Sequence, residues 1–206
     1  MFQIKNIIQK KILRLKGSKN ILKLNFFFHK YFGEKDIGEI GLNFSNKPDK
    51  KKIVQNTISR KKYKSYLEIG CFNNDLFNHI NCEKKVGVDP YSGGTLRETS
   101  DYFFSKNKDT FDCIFIDGLH IYEQCRKDVI NSLKVLEKNG FIFLHDMTPR
   151  NWAEENVPRL KDTLWTGNIW KVALELSKTK GIDFFVINAD MGVGIVKKNE
   201  PLLVFI

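Results

Sequence analysis

From residue 65 onward, short apolar runs alternate with segments whose apolar residues recur at helical spacing. The runs hold few polar residues before their ends, which is typical of strands buried on both faces of a parallel sheet. The intervening helical segments supply the crossovers that parallel strands require. We therefore predict an α/β domain with a doubly wound, mostly parallel sheet. The seven predicted strands are 65–70, 85–90, a short one near 95–98, 111–117, 141–146, 183–188 and 191–197.

The last two predicted strands are joined only by Ala189 and Asp190. A parallel pair needs a long crossover, so this pair is predicted to form an antiparallel hairpin at the end of the sheet. Asn139-Gly140 is a typical helix stop before the fifth strand, and Ser100 or Asp101 is a candidate helix cap. The predicted helices are 76–80, 101–105, 121–138 and 168–178.

The first 64 residues follow a different pattern. Apolar residues recur at helical spacing from Ile4 to Leu15, which predicts an amphipathic helix, and residues 21–32 are apolar and aromatic. Residues 33–64 are polar and charge-rich, and we interpret them as a loop or linker. The chain is thus predicted to have a basic helical extension and linker over 1–64 and its main domain over 65–206.

The charge is divided in the same way. Residues 1–64 hold 17 Lys/Arg against 4 Asp/Glu, whereas residues 65–206 hold 17 against 20. A basic character confined to one end argues against nucleic acid as the partner of the whole protein. Residues 1–30 hold eight Lys/Arg and no acid. This segment is predicted either to contact an anionic membrane surface or to pack on the main domain through Phe26–Phe28.

The remaining composition concerns the compartment. The four cysteines show no CxxC or zinc-site spacing, and free thiols are typical of a reducing compartment. The basic start lacks the apolar core of a signal peptide, and no long apolar stretch predicts a membrane span. We therefore expect a cytoplasmic protein, and self-association into a homo-oligomer stays open.

Three carboxylates stand at or near the ends of predicted strands: Glu68, Asp89 and Asp117. Open α/β sheets bind ligands at the carboxyl ends of their strands. Asp89 lies about 20 residues after Glu68, the spacing of an acid that hydrogen-bonds a ribose diol. The dinucleotide fingerprint GxGxxG is absent, which argues against a dehydrogenase. The pattern favours a nucleoside-containing ligand.

The stretch LEIGCFNND resembles the first motif of class I methyltransferases, an acid-x-Gly-x-x-x-Gly loop. Glu68 and Gly70 match it, and Asn74 replaces the last Gly; Asn tolerates a left-handed backbone. The resemblance implies S-adenosylmethionine as the cofactor, with its methionine end near Gly70, its ribose on Asp89 and its adenine beside Ser100 and Asp101. The implied cofactor-binding residues are Glu68, Gly70, Cys71, Asn73, Asp89, Ser100, Asp101 and Asp117.

FDCIFIDGLHIYEQCRKDV, GFIFLHDM, WTGNIWKVALEL and ADMGVGIV resemble a bacterial family of small methyltransferases related to catechol-type and macrolide-sugar O-methyltransferases. In catechol-type enzymes the acid after the fourth strand binds a divalent metal and a lysine three residues later is the base. The matching residues are Asp117 and His120. The second metal acid matches Asp146, but Met147 replaces the asparagine that follows it in those enzymes.

These patterns predict a cytosolic enzyme that methylates a hydroxyl of a small acceptor, with a sugar or glycan precursor implied by the resemblance alone. His120 and Asp117 are the catalytic candidates, and Asp117 with Asp146 could hold Mg²⁺ or a similar cation. Two alternatives remain open for single residues: His120 as a residue at the start of the next helix, and Asp146 as a structural or substrate-contacting residue. Two rival functions remain: transfer to nitrogen, and a non-catalytic cofactor-binding interaction module.

Overall fold

The computed structural model describes residues 40–159 and 164–199, together with Lys23, Leu24, Phe27 and Tyr31. The helix predicted over Ile4 to Leu15 lies outside the described residues. The described chain forms one mixed sheet with helices on both faces. Its elements are α1 Lys50–Lys61, β1 Ser65–Ile69, α2 Asp75–His79, β2 Lys84–Val88, α3 Ser100–Lys106, β3 Phe111–Ile116, α4 Tyr122–Val135, β4 Leu136–Leu144, α5 Trp152–Glu155, α6 Trp170–Leu176, β5 Ile182–Ile187 and β6 Val193–Lys198.

The sheet has the strand order β2-β1-β3-β4-β6-β5. β2, β1, β3 and β4 are parallel neighbours, and β6 runs antiparallel between β4 and β5. The chain leaves β1 toward β2 on one side and returns as β3 on the other, so the topological switch point lies between β1 and β3. Ligands of open α/β sheets bind at the carboxyl ends of the strands beside such a point. The predicted parallel sheet with a closing antiparallel hairpin is confirmed.

The sheet has six strands among the described residues, so the prediction of seven is wrong. The segment expected to form the short extra strand near 95–98 makes only an isolated parallel bridge between Val88 and Leu96. Gly93 and Gly94 precede it with positive φ angles of 67° and 68°. A loop in that conformation delivers only one apolar residue, Leu96, to the sheet, which is too little for a strand.

Residues 50–61 are helical, not the loop expected over 33–64. Asp49 caps α1 by accepting a hydrogen bond from the backbone N–H of Lys52 at 3.0 Å. The helix buries Ile53, Val54 and Ile58 in the core. The sequence around these three apolar residues is rich in lysine, so the segment has the composition of a polar loop. Most of those lysines lie on the solvent side of the helix.

The core has two layers, one on each face of the sheet. Alternate residues of the strands point to opposite faces, so Leu67 and Ile69 of β1 pack with α3, α4 and α6, while Tyr66 packs with α1 and α2. No helix in the described part of the chain is both long and apolar enough to cross a bilayer. The two packed faces fix the strand ends, and these position the site described next.

Candidate active site

A cavity of about 1090 Å³ opens at the carboxyl ends of the parallel strands. Gly70 and Asp89 line it on the side of β1 and β2, and Asp117 and Asp146 line it where β3 and β4 end. Trp165, whose ring stacks on His120, also lines it. The cavity therefore lies where the switch point of the sheet predicts a ligand.

The loop after β1 has the shape that the sequence motif implies. Gly70 has φ 87°, and a Cβ there would overlap the backbone carbonyl of Asp117. The glycine is thus required by the close approach of the β3 end. Asn74 adopts the left-handed conformation at φ 65°, and its Oδ1 accepts a hydrogen bond from the Gly94 N–H at 2.6 Å. Asparagine therefore preserves the turn and also ties it to the β2 loop.

Asp89 joins the two loops that border the cavity. Its Oδ2 accepts hydrogen bonds from the backbone N–H groups of Cys71 and Phe72, each at 3.0 Å. Its Oδ1 accepts from Tyr91 at 2.7 Å and Ser92 at 2.9 Å. Burial raises the pKa of Asp89, but these N–H donors outweigh it and leave the pKa below its ordinary value. The carboxylate is thus ionised and held rigidly at the cavity wall.

Three other residues assigned to the cofactor do not line this cavity. The Glu68 carboxylate is buried, and its Oε2 accepts a hydrogen bond from the Tyr66 hydroxyl at 2.5 Å. Cys71 contributes only its backbone N–H to Asp89, and Asn73 caps its own turn by accepting from the Asp75 N–H at 3.0 Å. All three therefore stabilise β1 and the loop that follows it, and none of them lines the cavity.

Ser100 and Asp101, by contrast, line the cavity at the start of α3. The N-cap of that helix is Thr99, not Ser100 or Asp101 as expected, because the Thr99 hydroxyl accepts from the Tyr102 N–H at 3.2 Å. Ser100 and Asp101 are each 3.2 Å from Gln124 Nε2, which is also 3.0 Å from Asp128. Burial raises the pKa of Asp128 to about 6. These side chains form a polar wall of acceptors.

Asp117 follows β3 and forms an ion pair with Lys50, the first residue of α1. Lys50 Nζ lies 2.8 Å from Asp117 Oδ2. Asp117 Oδ1 faces two imidazoles, with His120 Nε2 at 3.4 Å and His145 Nδ1 at 3.5 Å. Burial raises the pKa of Asp117, but these neighbours outweigh it and hold the pKa well below its ordinary value. Asp117 is therefore an anion in contact with one ammonium group and two imidazoles.

His120 has a defined orientation beside Trp165. Its Nδ1 lies 2.7 Å from the Trp165 carbonyl oxygen, and the two rings stack at 5.3 Å with an interplanar angle of 26°. A carbonyl oxygen only accepts hydrogen bonds, so Nδ1 carries the proton and Nε2 is the site of titration. Burial lowers the pKa of His120, but the hydrogen bond to Asp117 and the charge of Asp146 outweigh it and raise the pKa.

His145 and Asp190 complete the cluster. His145 Nδ1 lies 3.2 Å from Asp146 Oδ1, and His145 Nε2 lies 3.6 Å from Asp190 Oδ1. Burial lowers the pKa of His145, but Asp117 and the other two carboxylates outweigh it and raise the pKa well above its ordinary value. Asp190 Oδ2 also accepts a hydrogen bond from the backbone N–H of Lys50 at 2.8 Å. The turn between β5 and β6 is thereby joined to the start of α1.

The position of the cavity in the sheet agrees with the family profile that the sequence matches. Residues 62–147 match the profile of a family described as a methyltransferase domain, and the fold is that of class I methyltransferases. Residues 62–147 of this chain therefore belong to a methyltransferase domain of the class I fold. The predicted fold class and the predicted class of enzyme, a methyltransferase, are therefore confirmed. No curated protein matches the sequence significantly.

Solved structures resemble this methyltransferase in fold. The SAH-bound Podospora anserina methyltransferase PaMTH1 is 17% identical, with 73% of this chain and 78% of that chain covered and a TM-score of 0.53. An O-methyltransferase from Bacillus cereus in complex with SAH is 12% identical, with 93% and 97% covered and a TM-score of 0.53. TomG, an O-methyltransferase from Streptomyces achromogenes involved in tomaymycin synthesis, is 11% identical in its SAM complex, with 72% and 79% covered and a TM-score of 0.52.

The methyltransferase has the donor atoms for a divalent cation. Ligand atoms of Asp117, His120 and Asp146 lie within 4.8 Å of one another. Two carboxylates and water are the donors that Mg²⁺ prefers, and imidazole suits softer metals. Met147, which replaces the asparagine of catechol-type enzymes, is buried in the core and offers no oxygen. The residues present fit a hard cation held mainly by Asp117 and Asp146.

Lys50, Asp190 and Trp165 were not among the residues that the sequence predicted for the site. The signal for Lys50 is Asp49, a good N-cap residue followed by the apolar positions of a helix. Asp190 carried no signal, because its direction depends on the positive φ angles of Asp190 and Met191 in the hairpin turn. Trp165 is placed by its indole N–H, which donates to the Asn156 carbonyl at 2.7 Å.

Proposed function

We propose that the enzyme methylates a hydroxyl oxygen of a small acceptor and that His120 is the general base. The observation that carries the proposal is the 2.7 Å contact between His120 Nδ1 and the Trp165 carbonyl oxygen, which assigns the tautomer of His120. The Trp165 carbonyl holds the proton on Nδ1, which leaves the Nε2 lone pair as the proton acceptor of the neutral ring. Nε2 belongs to the cavity-lining cluster that includes Asp117 and Asp146.

The cofactor is proposed to lie along the carboxyl ends of β1, β2 and β3. Asp89 borders the position of the ribose, and Ser100 and Asp101 border the position of the adenine. Asp89 also holds both loops in place through its four backbone contacts, so it acts on the cofactor partly by positioning them. The close approach of Gly70 to the Asp117 backbone supports a position of the methionine end beside the carboxylates.

The chemistry requires an oxygen nucleophile in line with the methyl group. S-adenosylmethionine supplies a methyl group on a positive sulfur, and attack by the oxygen lone pair releases a neutral thioether. A hydroxyl is a weak nucleophile until its proton is removed, and His120 Nε2 takes that proton. Asp117 stabilises the resulting imidazolium from 3.4 Å. The orientation of both reactants in the cavity supplies a further part of the acceleration.

A divalent cation, where bound, would be held by Asp117 and Asp146. It would lower the pKa of the acceptor hydroxyl and orient it.

The acceptor itself is proposed to be a sugar or glycan precursor. Trp165 lines the cavity among polar groups, and a sugar has an apolar face for an aromatic ring and a rim of hydroxyls for polar side chains. We also propose that the catalytic unit begins near Asp49, because α1 delivers Lys50 to the site.

A methyl-transfer assay with labelled S-adenosylmethionine tests the proposal. The panel contains nucleotide sugars and free sugars, matching amino sugars, and catechols with two neighbouring hydroxyls. We expect label on a sugar oxygen. Label only on the amino sugars would support transfer to nitrogen. Tight binding of S-adenosylhomocysteine without transfer to any member of a broad panel would support the non-catalytic module.

A further inference from the structure

We propose that Lys50 is the resident cation of the carboxylate cluster and competes with divalent metals for Asp117. Nζ of Lys50 is 2.8 Å from Asp117 Oδ2, a direct charge-assisted hydrogen bond. The two side chains are only 22% and 18% exposed, so water screens the contact weakly. A metal that used this oxygen would have to displace the ammonium or accept it as a close neighbour.

The ammonium is delivered by a fixed helix. The backbone N–H of Lys50 donates to Asp190 Oδ2 at 2.8 Å, and the Asp49 side chain caps the same helix. Val54 and Ile58 fix the following turns in the core. Lys50 therefore binds one carboxylate with its backbone and another with its side chain, which holds it at the cluster.

The charges in the cluster give the physical reason why Lys50 should weaken the binding of a divalent cation. Asp117, Asp146 and Asp190 place three carboxylates around His145. The Lys50 ammonium pairs directly with one of them, Asp117. A divalent cation beside it is repelled, because like charges a few ångströms apart interact strongly at a partly buried site. Removing this positive charge should therefore free Asp117 Oδ2 and strengthen metal binding.

The test measures Mn²⁺ binding by electron paramagnetic resonance, with no cofactor or acceptor present. Lys50→Met keeps most of the apolar stem and removes the charge. We expect it to bind Mn²⁺ at least about tenfold more tightly than the wild type. Lys50→Arg keeps the charge and should bind like the wild type. Lys51→Met is the matched control, because Lys51 pairs with the exposed Asp75 outside the cluster.

Equal or weaker Mn²⁺ binding by a folded Lys50→Met protein overturns the proposal, and so does an equal gain in Lys51→Met. Circular dichroism establishes that the variants are folded. If Lys50→Met does not fold, Lys50→Gln is measured in its place and has the same two outcomes. The measurement needs no methyl transfer, so its failure would leave the proposed reaction untouched. Failure of the transfer assay would likewise leave this inference standing.

Discussion

His120 is the residue on which the proposed chemistry depends. Substituting His120 with alanine should lower turnover by about 10²–10⁴-fold, since it removes the proton acceptor. The affinity for S-adenosylhomocysteine should change little, because the ring lies on the acceptor side of the cavity beside Trp165. Steady-state kinetics with the acceptor found in the transfer assay, together with calorimetry, check both parts. Turnover near the wild-type value would remove His120 from the role of base.

Glu68 is the residue whose titration should be visible in stability. Burial raises its pKa to about 7 from an ordinary value of 4.5, although the Tyr66 hydrogen bond lowers it in part. A carboxyl with a raised pKa binds more protons in the folded than in the unfolded chain between these values. The free energy of unfolding should therefore fall as the pH rises through that window.

Glu68→Gln should remove this dependence, because an amide does not titrate. The amide oxygen can still accept the Tyr66 hydrogen bond, so the packing is otherwise kept. Relative to the wild type it should gain about 1–3 kcal/mol between pH 4.5 and pH 8. Urea unfolding of both proteins at the two pH values measures the difference. A difference that stays constant with pH would show that Glu68 has an ordinary pKa.

α1 is the element whose role differs most from what the sequence suggests. Ile58 is buried against the sheet, whereas Asn56 on the same helix is exposed. Ile58→Ala should cost about 2–5 kcal/mol of unfolding free energy, the range for a large aliphatic side chain cut back in a core. Asn56→Ala is the control and should be nearly neutral. Denaturant unfolding decides, and an equally small effect of both would mean that residues 50–61 are a linker after all.

The elements differed in how well the sequence could predict them, for physical reasons. The strands after residue 65 were predictable because strands buried on both faces are almost wholly apolar, as in residues 111–117. The prediction of a strand near 95–98 failed because the loop with Gly93 and Gly94 leaves only Leu96 to pair with β2. Asp117 and His120 were found by resemblance to a motif, but the contact of Lys50 with Asp117 joins residues far apart in the chain and has no local pattern.

At the scale of the whole molecule, the described apolar residues of the basic N-terminal segment are exposed. Leu24, Phe27 and Tyr31 are 70%, 54% and 62% exposed, and the last two rings lie 4.5 Å apart. Their spacing places them on one side of a helix. Phe27 is thus not an anchor in the core, which favours the membrane alternative over docking. The eight basic residues in 1–30 would each contribute about 1 kcal/mol near an anionic surface.

The full chain should therefore co-sediment with vesicles that contain an anionic phospholipid and much less with neutral ones. The double variant Leu24→Ser, Phe27→Ser should sediment several-fold less at equal lipid, since it removes the apolar contact and keeps every charge. If the wild type stays in the supernatant with anionic vesicles, the membrane proposal is wrong.

The central claim is that the cavity at the strand ends binds S-adenosylmethionine, and titration calorimetry with S-adenosylhomocysteine tests it most directly. The account predicts one molecule bound per chain by the wild type. Asp89→Ala should bind at least about tenfold more weakly, because it loses a carboxylate that holds both loops and borders the ribose. Absence of binding by the wild type, or equal affinity in the two proteins, would contradict the account.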